Sequence, residues 1–194
     1  MSQSFPARMW NASLLDADTY EEVEADKSAI RQAVVVVVLS AAAGGLGSWW
    51  LHALHRGIPP GVALVPVALE VLEPIVLWVG GSFFSYMVGA TFFRGPETET
   101  DFAEVLRTVG FAFTPGILRL VGFGLPSIQA ALGLGNSEMP RIFMNTALEF
   151  WVLVAGIVAV RQALDFTTGR AIGTYGSAYA LLYLVVMGLS TAVG

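Results

Sequence analysis

Cysteine is absent from the 194 residues, and charged side chains make up only 13% of them, against roughly 25% in an average soluble domain. The first absence excludes a disulfide scaffold, a thiolate zinc site, an iron–sulfur cluster and a cysteine nucleophile. The second makes water an unsuitable solvent for most of the chain. Clustered positive charge is missing too: ten Lys and Arg stand singly against 15 Asp and Glu, for a net charge of −5. No basic stripe exists for nucleic acid, which is therefore not an expected partner. Nor is there a His-Glu-x-x-His, a Gly-x-Ser-x-Gly, a Walker loop or a Gly-x-Gly-x-x-Gly, so the motifs predict no enzyme, no cofactor and no metal site.

What is present is apolar length, with 55% hydrophobic residues and a mean hydropathy of +0.68. Gln32 to Leu51 runs 20 residues without a charge and includes Val34 to Val38 unbroken. At about 1.5 Å per residue such a helix crosses the roughly 30 Å hydrocarbon core of a bilayer. Before it, residues 1–31 carry six acids, Asp16, Asp18, Glu21, Glu22, Glu24 and Asp26, against Arg8, Lys27 and Arg31. A secretory signal opens basic and reaches its apolar run at once, so the first apolar run reads as a retained anchor. Residues 1–31 read as a cytoplasmic segment with short interfacial helices. Ser4 before Pro6 suits a cap ahead of Met9, Trp10, Leu14 and Leu15, and Thr19 with Glu22 has capping-box spacing for a second helix.

Beyond the turn at Gly57–Gly61, a second span is expected from Pro74 to Phe93. Val62 to Leu72 reads as an interfacial or re-entrant helix, or as the lower part of one long helix kinked at Pro74. Gly95 to Thr100 is polar and turn-prone, hence an aqueous loop. Arg107 and Arg119 leave only 11 residues between them, with Pro115-Gly116 in the gap. The third span therefore reads as a helix from Phe102, broken at Pro115-Gly116 and resumed towards Leu132. Ile142 to Val160 and Ala171 to Val193 complete five spans. The N-terminus and the loops at 94–107 and 161–170 then share one side with seven Lys and Arg, against three, Arg56, Arg119 and Arg141, on the other. The positive-inside rule places the N-terminus in the cytoplasm.

Polar residues inside the apolar runs are the candidate functional groups. Glu70 and Glu73 share a helical face and read either as a paired carboxylate at depth or as acids at a helix start in the headgroup region. Glu149 lies near the middle of the fourth span, where a charge must be paired or neutral. Its expected partner is Arg107 or Arg119; a proton or ion pathway is the alternative. His52 and His55, after Trp49 and Trp50, read as an interfacial belt, since no third metal ligand is near. Gly81-Ser85-Gly89 forms a small-residue ridge for helix packing or self-association, as do the pairs Ser40-Gly44, Ala43-Gly47, Ala155-Ala159 and Gly176-Ala180. In the loop after the fourth span, Asp165 is placed to pair with Arg161 or Arg170, leaving the other arginine for headgroup phosphates.

Several stretches resemble bacterial members of the Yip family, multispanning membrane proteins named after eukaryotic relatives that interact with Ypt/Rab GTPases. They are Arg8-Met9-Trp10, Thr19 to Glu24 and Gln32-Ala33, then Leu106 to Arg119, then Ala159 to Ile172. Gly110, Phe111 and Pro115, followed by Gly116, resemble the family's Gly-Tyr…Pro element, with Phe in place of Tyr. The resemblance implies five spans and a cytoplasmic N-terminus. The eukaryotic Asp-Leu-Tyr-Gly-Pro element is absent, so Rab-type GTPase binding is not implied. The chain thus reads as an all-α integral membrane bundle of five spans, with residues 32–194 as the membrane domain, in a bacterial inner membrane. It is expected to act by binding, as a scaffold, accessory subunit or membrane-organising factor in the lipid bilayer, either as a homo-oligomer or within a larger complex. The alternative is a small proton- or cation-coupled transporter built on Glu149 and Glu70/Glu73.

The absence of native cysteine gives a direct check of this topology. A single cysteine at position 98 is expected to resist a membrane-impermeant thiol reagent in intact cells, and one at position 194 to react. The opposite labelling pattern contradicts the orientation.

Overall fold

The computed structural model describes residues 3–93, 101–135 and 137–193, with side chains described only as far as 185. The polar loop expected at 95–100 lies outside the described residues. Every element among those described is helical. In chain order they are α1 (Phe5–Ser13), α2 (Ala17–Ala25), α3 (Ala29–Trp49) continued by a π-helical turn (Trp50–His55), and α4 (Pro60–Phe92). There follow α5 (Phe102–Phe111), a 3-10 turn (Thr114–Leu118), α6 (Arg119–Ala131), α7 (Met139–Ala163) and α8 (Thr168–Val193). Among the described residues, four segments are long and apolar enough to cross a membrane: Ala29–His55, Pro60–Phe92, Phe102–Ala131 and Met139–Ala163.

Of the readings open for residues 62–72, the structure takes the long helix. α4 runs unbroken for 33 residues with Pro66 and Pro74 inside it. Each proline removes one backbone donor and crowds the carbonyl four residues earlier. In hydrocarbon, unwinding around it leaves further backbone groups unpaired, so the helix continues through. α5 starts at a capping box, in which Asp101 and Glu104 each accept the other's backbone N–H, at 2.8 and 2.9 Å. α5 ends at Phe111, ahead of the break expected at Pro115-Gly116, and these two residues lie inside the 3-10 turn that precedes α6.

α3 is the central helix, packed against α4, α5, the 3-10 turn and α6. One side of it presents Ala33, Ser40 and Gly47 to these neighbours. A methyl group on Gly110 would stand 2.6 Å from the Ala33 Cβ and 3.1 Å from the Trp78 indole nitrogen, while one on Gly116 would meet the Ser40 hydroxyl. Across from Gly47, Phe123 fills the space a side chain would take. Trp78 Nε1 donates to the Leu106 carbonyl at 2.7 Å, and the fully buried Phe111 meets Phe5 edge-on with centroids 6.3 Å apart. The Gly110-Phe111…Pro115-Gly116 element is therefore the surface on which α5 and the 3-10 turn lie against α3, α4 and α1.

The ridge Gly81-Ser85-Gly89 is consumed inside the protein, not held open for a partner. Gly81 faces Tyr179, Gly89 meets Leu164, Phe166 and Thr174, and Ser85 is fully buried. The cause is the packing of α8 and the chain leading into it against this side of α4.

The hydrophobic core also crosses the division expected at residue 31. Ala12, Tyr20 and Val23 are fully buried in one cluster with Val36, Phe111, Val152 and Tyr175. The turn after α1 is held by Trp151, whose Nε1 donates to the Ser13 carbonyl at 2.7 Å, and by the Tyr20 hydroxyl, which donates to the Ala12 carbonyl. Trp10 and Leu14 stay exposed on the outer side of this hairpin. The cap of α2 is Asp16, which accepts from the Thr19 N–H, and Ser4 makes no side-chain cap at α1. The expected Thr19–Glu22 box does not form because Glu22 is drawn to Arg8.

Candidate functional site

Near the middle of the long helices, Glu70 and Glu73 of α4, Glu149 of α7, Tyr179 of α8 and Arg119 of α6 come together around two adjoining cavities. The larger, of about 650 Å³, is lined by Glu70, Glu73 and Glu149 with Leu72, Tyr179 and Tyr183 among its walls. The smaller, of about 350 Å³, shares Glu73, Leu77, Glu149 and Tyr179 and is bordered by Arg119. Arg119 is only 6% exposed. Its Nη1 donates to Glu73 at 3.0 Å and stands 4.0 Å from Glu70. Its other N–H groups meet no acceptor among the described residues. Tyr175 donates to the Tyr179 hydroxyl at 3.2 Å.

Glu149 does not take the expected partner, since among the described residues neither Arg107 nor Arg119 forms an ion pair with it. Arg119 opens α6 directly after the 3-10 turn and meets the α4 face, where Glu70 and Glu73 stand nearly one turn apart. Arg107 lies twelve residues earlier, about 18 Å away along a helical path. Its Nε and Nη2 donate to the Glu24 carbonyl, with Nε at 2.7 Å, and Glu104 stands 3.5 Å away. The two arginines thus serve different layers, and Glu149 borders both cavities unpaired.

A second polar centre ties the N-terminal hairpin to one end of the bundle. Arg8, 3% exposed, pairs with Glu22 and Asp26 at 2.8 Å each and donates to Gln32 at 3.0 Å. Ser28 and Arg8 hydrogen bonds hold Asp26 down at about 2, and the Arg8 hydrogen bond also lowers Glu22. Beside it, burial pushes Glu24 up to about 7, with Asp165, Glu104 and Glu21 adding repulsion and Arg107 opposing it. Gln162 donates to Glu21 at 2.8 Å and accepts from Arg161 at 2.8 Å. The expected pairing of Asp165 with Arg161 or Arg170 is not formed, because Arg161 turns to the neighbouring Gln162 and Asp165 sits at a helix end with φ 50°. An open pocket of about 570 Å³ between Glu21, Arg161, Asp165, Thr167 and Thr168 results.

At the opposite end Glu138 accepts from Arg56 at 2.8 Å and from Arg141 at 2.6 Å, which lowers its pKa and joins the α3–α4 and α6–α7 connections. His52 contacts the Ser48 carbonyl, while His55 and Trp50 share the Ser127 hydroxyl. No group of His, Asp and Glu among the described residues converges closely enough to hold a metal ion. The groups that sequence reasoning missed are Tyr179 and the Arg8 and Glu24–Arg107 contacts. For the tyrosines a signal was there, since Tyr175 and Tyr179 are one turn apart.

The raised Glu24 carboxyl sets a pH dependence. It holds its proton to about 7 in the fold and only to 4.5 in the unfolded chain. Its contribution to stability is therefore complete below the lower value and lost as pH rises through the upper one. The thermal midpoint of the purified protein is expected to fall between about pH 5 and about pH 8, and Glu24→Gln to flatten that slope. An unaltered slope in the variant contradicts the assignment.

Compared with known families, residues 13–189 match the model of the Yip1 domain. No curated protein and no solved structure matches the chain.

Proposed function

The chain belongs to the Yip1-domain family of membrane proteins, and from that premise we propose that it works by binding, as a scaffold, accessory subunit or membrane-organising factor. The observation that carries this reading is the preorganised polar end. Arg8, Glu22, Asp26, Arg107 and Gln162 lock α1 and α2 onto α5 and α7. Asp165, Thr167, Thr168 and Arg170 remain exposed beside them. A docking surface needs side chains held in place by packing and hydrogen bonds beneath it, and this end has both. The excess of Lys and Arg on its loops supports a cytoplasmic orientation for it, with α8 counted as the fifth span. In this reading the membrane is the bacterial inner membrane, and the protein is a homo-oligomer or part of a larger complex.

The intramembrane carboxylates support a second reading, a proton- or cation-coupled transporter. Arg119 engages Glu73 and stands near Glu70, which leaves Glu149 as the carboxylate on the cavity walls without an ion-pair partner among the described residues.

Mass measurement of the protein in native nanodiscs at natural expression tests the binding reading. A stoichiometric assembly is expected, weakened by Arg170→Glu on the exposed loop. Ser85→Leu, inside the packed α4 ridge, is expected to lower the thermal midpoint of the protein itself and not to release a partner from an intact one. A bare monomer contradicts the reading, as does an assembly that Ser85→Leu dissolves while the fold is kept.

A further inference from the structure

We propose that the groove between α4, α7 and α8 is a binding site for the headgroup of a zwitterionic phospholipid carrying a primary ammonium, entering sideways from the bilayer. The inference is independent of the scaffold reading and rests on how the groove distributes its charge. Glu149 has no ion-pair or hydrogen-bond partner among the described residues. Arg119, nine-tenths buried at the smaller, adjoining cavity, spends one N–H on Glu73 and keeps others without an acceptor among the described residues. The groove therefore offers both an unpaired anion and a buried cation with spare donors, which is the complement of a zwitterion.

The class of ligand follows from what each part of the lining accepts. The three carboxylates do not converge as a metal site does, so they suit an extended headgroup better than a point charge. A primary ammonium brings three N–H donors for Glu149 and Glu73, and the ring faces of Tyr179 and Tyr183 attract cations. A quaternary ammonium offers no such donors. Phosphate oxygens match the planar fork of Arg119. An anionic headgroup meets two negative charges in excess, since three carboxylates face one guanidinium. Leu69, Leu72, Val76 and Leu182 form hydrocarbon walls, and Leu69, Leu72 and Tyr183 are exposed at the mouth, on helices that the bilayer surrounds. A cavity of about 650 Å³ is of the size that holds a small ligand.

The full-length protein in micelles is offered equimolar phosphatidylethanolamine, phosphatidylcholine and phosphatidylglycerol with matched chains, and the retained lipid is read by native mass spectrometry. Phosphatidylethanolamine is expected to be retained over each of the others by about fivefold or more, a measurable difference in affinity. Glu149→Gln, at an exposed position, is expected to bring it to the level of phosphatidylcholine. Leu72→Trp, which fills the mouth from outside the core, is expected to reduce retention of phosphatidylethanolamine with the thermal midpoint unchanged. Equal retention of the three lipids, a preference for phosphatidylglycerol, or a preference that both variants leave intact overturns the proposal. So does a proton or cation flux in vesicles that Glu149→Gln abolishes without any lipid preference, which assigns the groove to coupled transport. Retention is read per protomer, so the result is separate from whether the protein assembles with a partner.

Discussion

The close approach of α3 to α5 and the 3-10 turn is the contact on which the rest of the bundle depends. In lipid, no hydrophobic force draws helices together, because acyl chains are as apolar as leucine; backbones must come near enough for dispersion and polar contacts to act. Gly110 opposite Ala33 and Gly116 opposite Ser40 allow that approach. Once the 3-10 turn is seated on α3, the first residue of α6 is Arg119, and its guanidinium meets Glu73 of the long α4. The position of the buried charge follows from the glycine contact, and so does the site around it.

The buried arginine in turn limits what the neighbouring helices can do. A charge in the hydrocarbon layer is tolerated when it is paired or when water or a ligand reaches it. Glu73 supplies the close partner and Glu70 the second, at 4.0 Å. Removing one member of such a pair leaves the other uncompensated, which costs more than the pair contributes relative to apolar residues. The polar end applies the same rule nearer to water: Arg8 is almost wholly buried, and the N-terminal hairpin that holds it supplies the acids it needs. The two centres fix the hairpin and the membrane helices as parts of one packed body.

Much of this fold was legible in the sequence because charge-free runs and their bounding arginines are one-dimensional signals. The 20-residue run into α3 needed no knowledge of neighbours. Partner choice did need it. Glu149 and Arg119 both interrupt apolar stretches of the sequence, but which face of α6 meets which helix depends on the 3-10 turn, whose geometry no spacing rule gives. The ridge on α4 was visible as a ridge, while the helix that covers it was not, since small residues serve an internal and an external neighbour equally well. The six acids of the N-terminal segment show in the sequence as charge, not as partners. A single buried Arg8 reorganises them, and nothing in its local sequence marks it as buried.

A double-mutant cycle at Gly110 and Ala33, read as unfolding free energy of the purified protein, tests the dependence on the α3–α5 contact most directly. Gly110→Ala places its methyl 2.6 Å from that of Ala33, and Ala33→Gly removes the obstacle at the price of a more flexible helix. If this approach holds the bundle together, each single change destabilises and the double variant is more stable than their sum by about 1 kcal/mol or more. Strictly additive effects, or a neutral Gly110→Ala, contradict it.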